Sequence, residues 1–186
     1  FGDKSIVVEV HGLPTTAYKR MSNGLVIEGS DGYITSTQTS AAVFDLEGRK
    51  MQDLKGEARD HFDNFIQAVR SRKSSDLNAD ILEGHQSSAL CHLGNISHRL
   101  GRQAKPREIL ERLSAQRIHG DVAETFDRNL KHLKDNGVDL DKTPLTLGAS
   151  LAIDPKGETF IDHPQADALL TRPYRDPFVV PGESAI

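Results

Sequence analysis

The stretch GLVIEGSDGYITST, residues 24–37, constrains the fold more than any other part of the chain. Two β-rich runs, 24–29 and 33–37, flank Ser30, Asp31 and Gly32. An Asp-Gly pair between such runs favours a tight reversal, because glycine reaches backbone angles that other residues resist. SIVVEV (5–10) precedes the hairpin as another β-rich run. AAVFDL (41–46) follows it and ends at Glu47-Gly48, and residues 50–55 either continue the meander or form a loop. Four or so short strands with glycine-containing turns predict an antiparallel sheet.

Helical spacing takes over next. In HFDNFIQAVRSRK (61–73), Phe62, Phe65, Ile66 and Val69 fall at i, i+3, i+4 and i+7, one stripe of an amphipathic helix. Asp60 stands where a carboxylate caps free N–H groups, and Arg70, Arg72 and Lys73 crowd the end where cations are favoured. The stripe is expected to face the sheet, with Arg70 and Arg72 in water. A second helix is expected over 81–101, with Ala89, Leu93, Ile96 and Leu100 on one face and Gly101 at its C-cap. Gly94 inside it suggests a close helix–sheet approach. Further helices are expected over 107–114, 121–137 (Val122, Phe126, Leu130 and Leu133 on one face) and 164–171. Residues 145–153 read as extended, 154–157 as a turn and 158–161 as a strand pairing back.

The resulting class is α+β: two layers, a mainly antiparallel open sheet with helices packed on one face, in a single domain over 1–186. That length suits one sizeable domain. Hydrophobic content of 37% and charged content of 27% suit a soluble protein. A net charge of −4 argues against a nucleic-acid surface, and no apolar run approaches the roughly 20 residues that span a bilayer. The single cysteine, Cys91, excludes an internal disulfide or a thiolate-rich metal site and reads as a buried, inert thiol. The first residue is Phe1, so any targeting signal lies outside view and the cellular location stays open.

The sequence contains no G-x-G-x-x-G, Walker loop, H-E-x-x-H or G-x-S-x-G. DNGVDLDK (135–142) lacks the carboxylate ladder of a calcium loop and reads as a helix end and loop. His85 and His92 are seven apart, wider than the three or four of a helical ligand pair. Hydrogen-bonded histidines at a helix–sheet boundary are the expectation, with no metal site. His119 with Asp121, and Asp162 with His163, have acid–base chemistry, but each lies in a loop where local hydrogen bonding is the simpler role. Arg172, Tyr174 and Arg175 have the chemistry to grip an anion or a sugar hydroxyl, or equally to anchor a C-terminal tail.

The order of segments says more than any single one. VEVHG, then NGLVIEGSDGYIT, HFDNFIQAVRSRK and LNADILEGHQSSALCHLGNISHRLGR, resembles the later part of Gfo/Idh/MocA-type oxidoreductases. Gly29, Gly32 and Ile34 match the family's strand turn, and Asn78 to His85 match its link between paired helices. The tail, with Leu170, Arg172, Pro173, Tyr174, Arg175, Pro177 and Phe178, is similar to the ending of planctomycete-type members.

The resemblance implies a C-terminal α/β domain, on the substrate and oligomerisation side of an NAD(P)-dependent enzyme for a sugar, polyol or related carbohydrate. The family holds NAD or NADP on an N-terminal Rossmann domain with a glycine loop and a Glu-Lys-Pro motif. Neither they nor the family's catalytic Asp and His match any position here. No catalytic, cofactor-binding or metal residue carries over, and the chain alone is expected to be an incomplete enzyme. His85, Arg172, Tyr174 and Arg175 remain as substrate-side candidates. A non-catalytic interaction module that kept the fold is the alternative.

The resemblance also implies a homo-oligomer formed through the open sheet face. Strand alternation groups Ile6, Val8 and Val10 with Leu25 and Ile27 as the purely apolar set expected under helices. Val7 and Val26, mixed with Glu9 and Glu28, form the face expected to meet a partner.

Overall fold

The computed structural model describes residues 6–56, 60–115 and 122–181. The expected hairpin is there. β1 (Leu25–Gly29) and β2 (Gly32–Ser36) pair antiparallel with Gly29 opposite Gly32, leaving Ser30 and Asp31 as a two-residue loop. A Cβ on Gly32 would lie 2.1 Å from the Phe44 carbonyl oxygen, so the close approach at this point requires glycine. β3 (Ser40–Asp45) and β4 (Lys50–Lys55) continue the meander in the order β1-β2-β3-β4. Asp45 closes the β3–β4 turn by accepting from Arg49 N (2.8 Å) and Arg49 Nε (2.6 Å). The class is α+β, with an open antiparallel sheet and helices.

The run at 6–10 forms no strand, contrary to expectation. β-propensity does not suffice; a strand exists by pairing its N–H and C=O groups with a neighbour, and the four-stranded sheet ends at β1.

The two sheet faces are also exchanged relative to expectation. Register sets Leu25, Ile27, Ile34, Val43 and Leu54 on one face, and Val26, Glu28, Tyr33, Thr35 and Phe44 on the other. The second face is the covered one. Phe44 and Thr35 are buried there, and the Tyr33 and Phe44 rings stack with centroids 4.9 Å apart. Lys19 reaches over this face, 4.5 Å from the Tyr33 ring centroid, and donates to Glu28 Oε1 at 2.7 Å. Leu25, Ile27 and Leu54 stay exposed on the first face. The deciding residues are the aromatic pair on β2 and β3, which β1 read alone does not reveal.

α1 (His61–Ser71) starts at Asp60, whose Oδ1 accepts from Phe62 N (2.8 Å) and Asp63 N (3.3 Å). It ends at Arg72, which adopts the left-handed conformation at φ 59°. Its stripe is not buried. Phe62 and Phe65 are 68% and 62% exposed, Ile66 and Val69 are exposed too, and only Ala68 is covered. Caps and spacing act within a helix, whereas burial needs a surface opposite it. Asn64 orders the link that follows by donating to Asp76 O (2.7 Å) and accepting from Asn78 N (3.0 Å).

α2 (Ile81–Arg99) starts at Asp80, which accepts from Leu82 N and Glu83 N. Here the stripe does find a core: Ile96 is buried with Phe160 and Ala166, and Leu93, Leu100, Leu151 and Leu169 pack around them. Cys91, two residues from both Ala89 and Leu93, falls on the far side and is exposed, correcting the buried-thiol reading. Gly94 has open space where a Cβ would be, so no close approach explains it. The close approach is at Gly101, whose Cβ would lie 2.6 Å from the Leu147 carbonyl oxygen.

β5 (Arg102–Ala104), α3 (Pro106–Ser114), α4 (Val122–Asp135) and β6 (Leu145–Leu147) follow, with β5 antiparallel to β6. β7 (Ile153–Asp154) and β8 (Thr159–Phe160) make a small hairpin before α5 (Pro164–Asp167). Ser97 on α2 exchanges two bonds with Ala149, accepting from its N–H at 2.9 Å and donating to its carbonyl at 2.8 Å. Phe160 N donates to Asp167 Oδ1 at 2.7 Å, which ties β8 to α5. Among the described residues, those up to Glu83 with Lys131–Gly137 form one compact unit; Gly84–Leu130 and the residues from Val138 on form another.

Candidate functional site

His85 lies on the exposed first half of α2, and its Nε2 is 2.9 Å from both carboxylate oxygens of Glu158. A contact of this kind requires a proton on Nε2. Glu158 sits in the β7–β8 turn at φ 49°, a left-handed conformation that costs a non-glycine residue energy. The pair joins α2 to the β7–β8 turn, but about half of each side chain meets solvent (51% and 59%). An exposed ion pair of this type is worth roughly 0–1 kcal/mol. Chemically it is a carboxylate-oriented imidazole, able to exchange a proton or to donate to an oxygen of a ligand.

The tail arginines each lie over a nearby aromatic ring. Arg172 places its guanidinium carbon 6.0 Å from the Tyr174 ring centroid, and Arg175 places its own 5.1 Å from that of Phe178. Residues 172–180 are all exposed. A guanidinium near an aromatic ring gains cation–π attraction and has N–H donors suited to an oxyanion or hydroxyl. Among the described residues, no hydrogen bond or ion pair joins His85 to Arg172, Tyr174 or Arg175. The ring contacts thus join only Arg172 and Tyr174 among the four candidates.

Other motifs resolve into local roles. His163 Nδ1 accepts from Ala166 N at 3.2 Å and caps α5. Asp139 pairs with Lys142 and accepts from Asp141 N, so 135–142 is a helix end and turn. The Lys142 hydrogen bond holds the Asp139 carboxyl below the usual carboxylate range. His119 and Asp121 lie outside the described residues. Among those residues, no group of three His, Cys, Asp or Glu is placed to hold a metal ion, and no helix is long and apolar enough to cross a membrane.

Two features escaped sequence reasoning. One is Glu158 itself, 73 residues from His85. The other is a shallow groove of ≈ 560 Å³ beside the start of α3, lined by Gln103, Lys105, Arg107, Glu108, Glu111 and Pro144, among others. Its charges are largely spent on Arg102–Glu108 (2.6 Å) and Arg107–Glu111 (2.9 Å). Compared with protein-family models, curated proteins and solved structures, the chain finds no match.

Proposed function

We propose that this chain is the substrate-side and oligomerisation part of an NAD(P)-dependent oxidoreductase of the Gfo/Idh/MocA type, acting on a sugar, polyol or related carbohydrate. The observation that carries the reading is the meander β1–β4 with an apolar face left open at Leu25, Ile27 and Leu54. The meander is followed by two capped helices in the order that the sequence resemblance requires. An uncovered apolar face of this kind is the usual mark of a surface that meets protein. On this reading the dinucleotide is held by a separate Rossmann domain, and the His85–Glu158 pair and the tail arginines contribute hydroxyl and anion contacts on the substrate side.

A non-catalytic interaction module is the second reading. It is favoured by the lack, among the described residues, of any hydrogen bond or ion pair joining His85 to Arg172, Tyr174 or Arg175. Calorimetry with NAD and NADP tests the first: this chain alone binds neither at micromolar concentration, and micromolar binding overturns the division of labour. Reading the encoding frame upstream separates the two. A strand followed by G-x-G-x-x-G, with Glu-Lys-Pro further on, selects the oxidoreductase; their absence selects the module.

A further inference from the structure

Asparagine followed by glycine readily loses its side-chain amide, because glycine leaves the next backbone nitrogen unshielded. The chain holds this pair twice, at Asn23–Gly24 and at Asn136–Gly137. The fold treats the two differently. Asn23 lies in the exposed bend between the Tyr18–Met21 bridge and β1. Among the described residues its side chain makes no hydrogen bond. Glycine is also required beside it: a Cβ on Gly24 would lie 2.3 Å from the Ser36 carbonyl oxygen. Asn136, just past the end of α4, is tied down. Its Nδ2 donates to the His132 carbonyl at 2.8 Å and to the Pro14 carbonyl at 2.9 Å. The neighbouring Gly137 N–H is itself engaged, donating to the Lys134 carbonyl at 2.9 Å. We propose that Asn23 is a site of spontaneous deamidation in the folded chain, with water as co-reactant, and that the fold blocks the same chemistry at Asn136.

The reaction needs the Gly24 backbone nitrogen, stripped of its proton, to reach Asn23 Cγ. A bond forms from that nitrogen to Cγ and the Cγ–Nδ2 bond breaks. Ammonia leaves with the proton, and a cyclic imide remains. Water then opens the ring at either carbonyl. Opening at Cγ gives aspartate. Opening at the main-chain carbonyl gives isoaspartate, in which the backbone runs through the side chain and gains one carbon. Closure of the ring requires the side chain to swing onto the following nitrogen. An exposed, unbonded side chain in a bend is free to do so, and Gly24 is exposed to base in solution. At Asn136 the swing breaks both Nδ2 hydrogen bonds, and the Gly137 proton must leave a third. Either product at position 23 sets a negative charge just before β1, and the isoaspartyl form also lengthens the chain leading into that strand.

The test is peptide mapping by mass spectrometry after prolonged incubation of the whole chain in mildly alkaline buffer, with digestion at acid pH to stop further conversion. A parallel sample is held in urea. The expected result in buffer is loss of the Asn23 amide, as aspartyl and isoaspartyl peptides, with the Asn136 amide retained. In urea both sites should convert, since the protection of Asn136 belongs to the fold. An Asn23 amide that survives in buffer overturns the proposal, as does an Asn136 amide lost there as fast as that of Asn23. Survival of Asn136 in urea removes the role of the fold and overturns it too.

Discussion

Asp60 converts a position in the chain into a helix start: its carboxylate occupies two N–H groups that would otherwise point at nothing. Asp60→Ala should cost about 1 kcal/mol of α1 stability, read by denaturant titration of helical circular dichroism. Glu108 works differently. The Arg102 hydrogen bond, with the Arg102 charge behind it, holds the Glu108 carboxyl below its usual range despite the opposing cost of desolvation. A carboxylate depressed in the folded state contributes stability above its ordinary pKa, and that stability is lost as pH falls through the folded value. The β5–α3 region should therefore loosen at acid pH, with exchange of the Ile109 amide as the readout, and Glu108→Gln should flatten that dependence. Cys91 gives a third residue-scale test. Being exposed, it should take up one equivalent of thiol reagent without denaturant, whereas a buried thiol would stay silent until unfolding.

At the scale of elements, what was legible in the sequence is what depends on near neighbours along the chain. The Ser30–Asp31 loop, the Asp60 cap and the β7–β8 hairpin all join residues within a few positions of each other. What was hidden depends on distant ones. Glu158 reaches His85 from another element, and the α1 stripe has the same periodicity as the α2 stripe without the same fate. Ile96 meets Phe160 and Ala166, which no local pattern announces. The contrast can be measured. Ile96→Ala should destabilise by about 2–5 kcal/mol, since it opens a cavity in a packed cluster. Phe65→Ala, at an exposed position, should stay within about 0.5 kcal/mol of wild type in the isolated chain. Equal losses in denaturant unfolding would mean that α1 is packed after all.

At the scale of the whole molecule, burial is sparse. Seven hydrophobic residues are buried among those described, and three of them are alanines. Several large apolar side chains meanwhile line one face of the meander. A chain of this kind gains stability by association, because each apolar side chain removed from water contributes roughly 1.5–3 kcal/mol when fully buried. The Leu25–Ile27 face, with Ile34, Val43 and Leu54 beside it, suits a two-fold contact, where one patch must complement itself. Charging this face tests the proposed homo-oligomer without touching the Tyr33–Phe44 side. Leu25→Lys with Ile27→Lys should convert the assembly to monomer in sedimentation velocity while leaving helical circular dichroism intact. Val26→Lys, placed on the half-buried opposite face, should lower stability instead. A wild-type chain that sediments as a monomer at high concentration removes the self-association proposal.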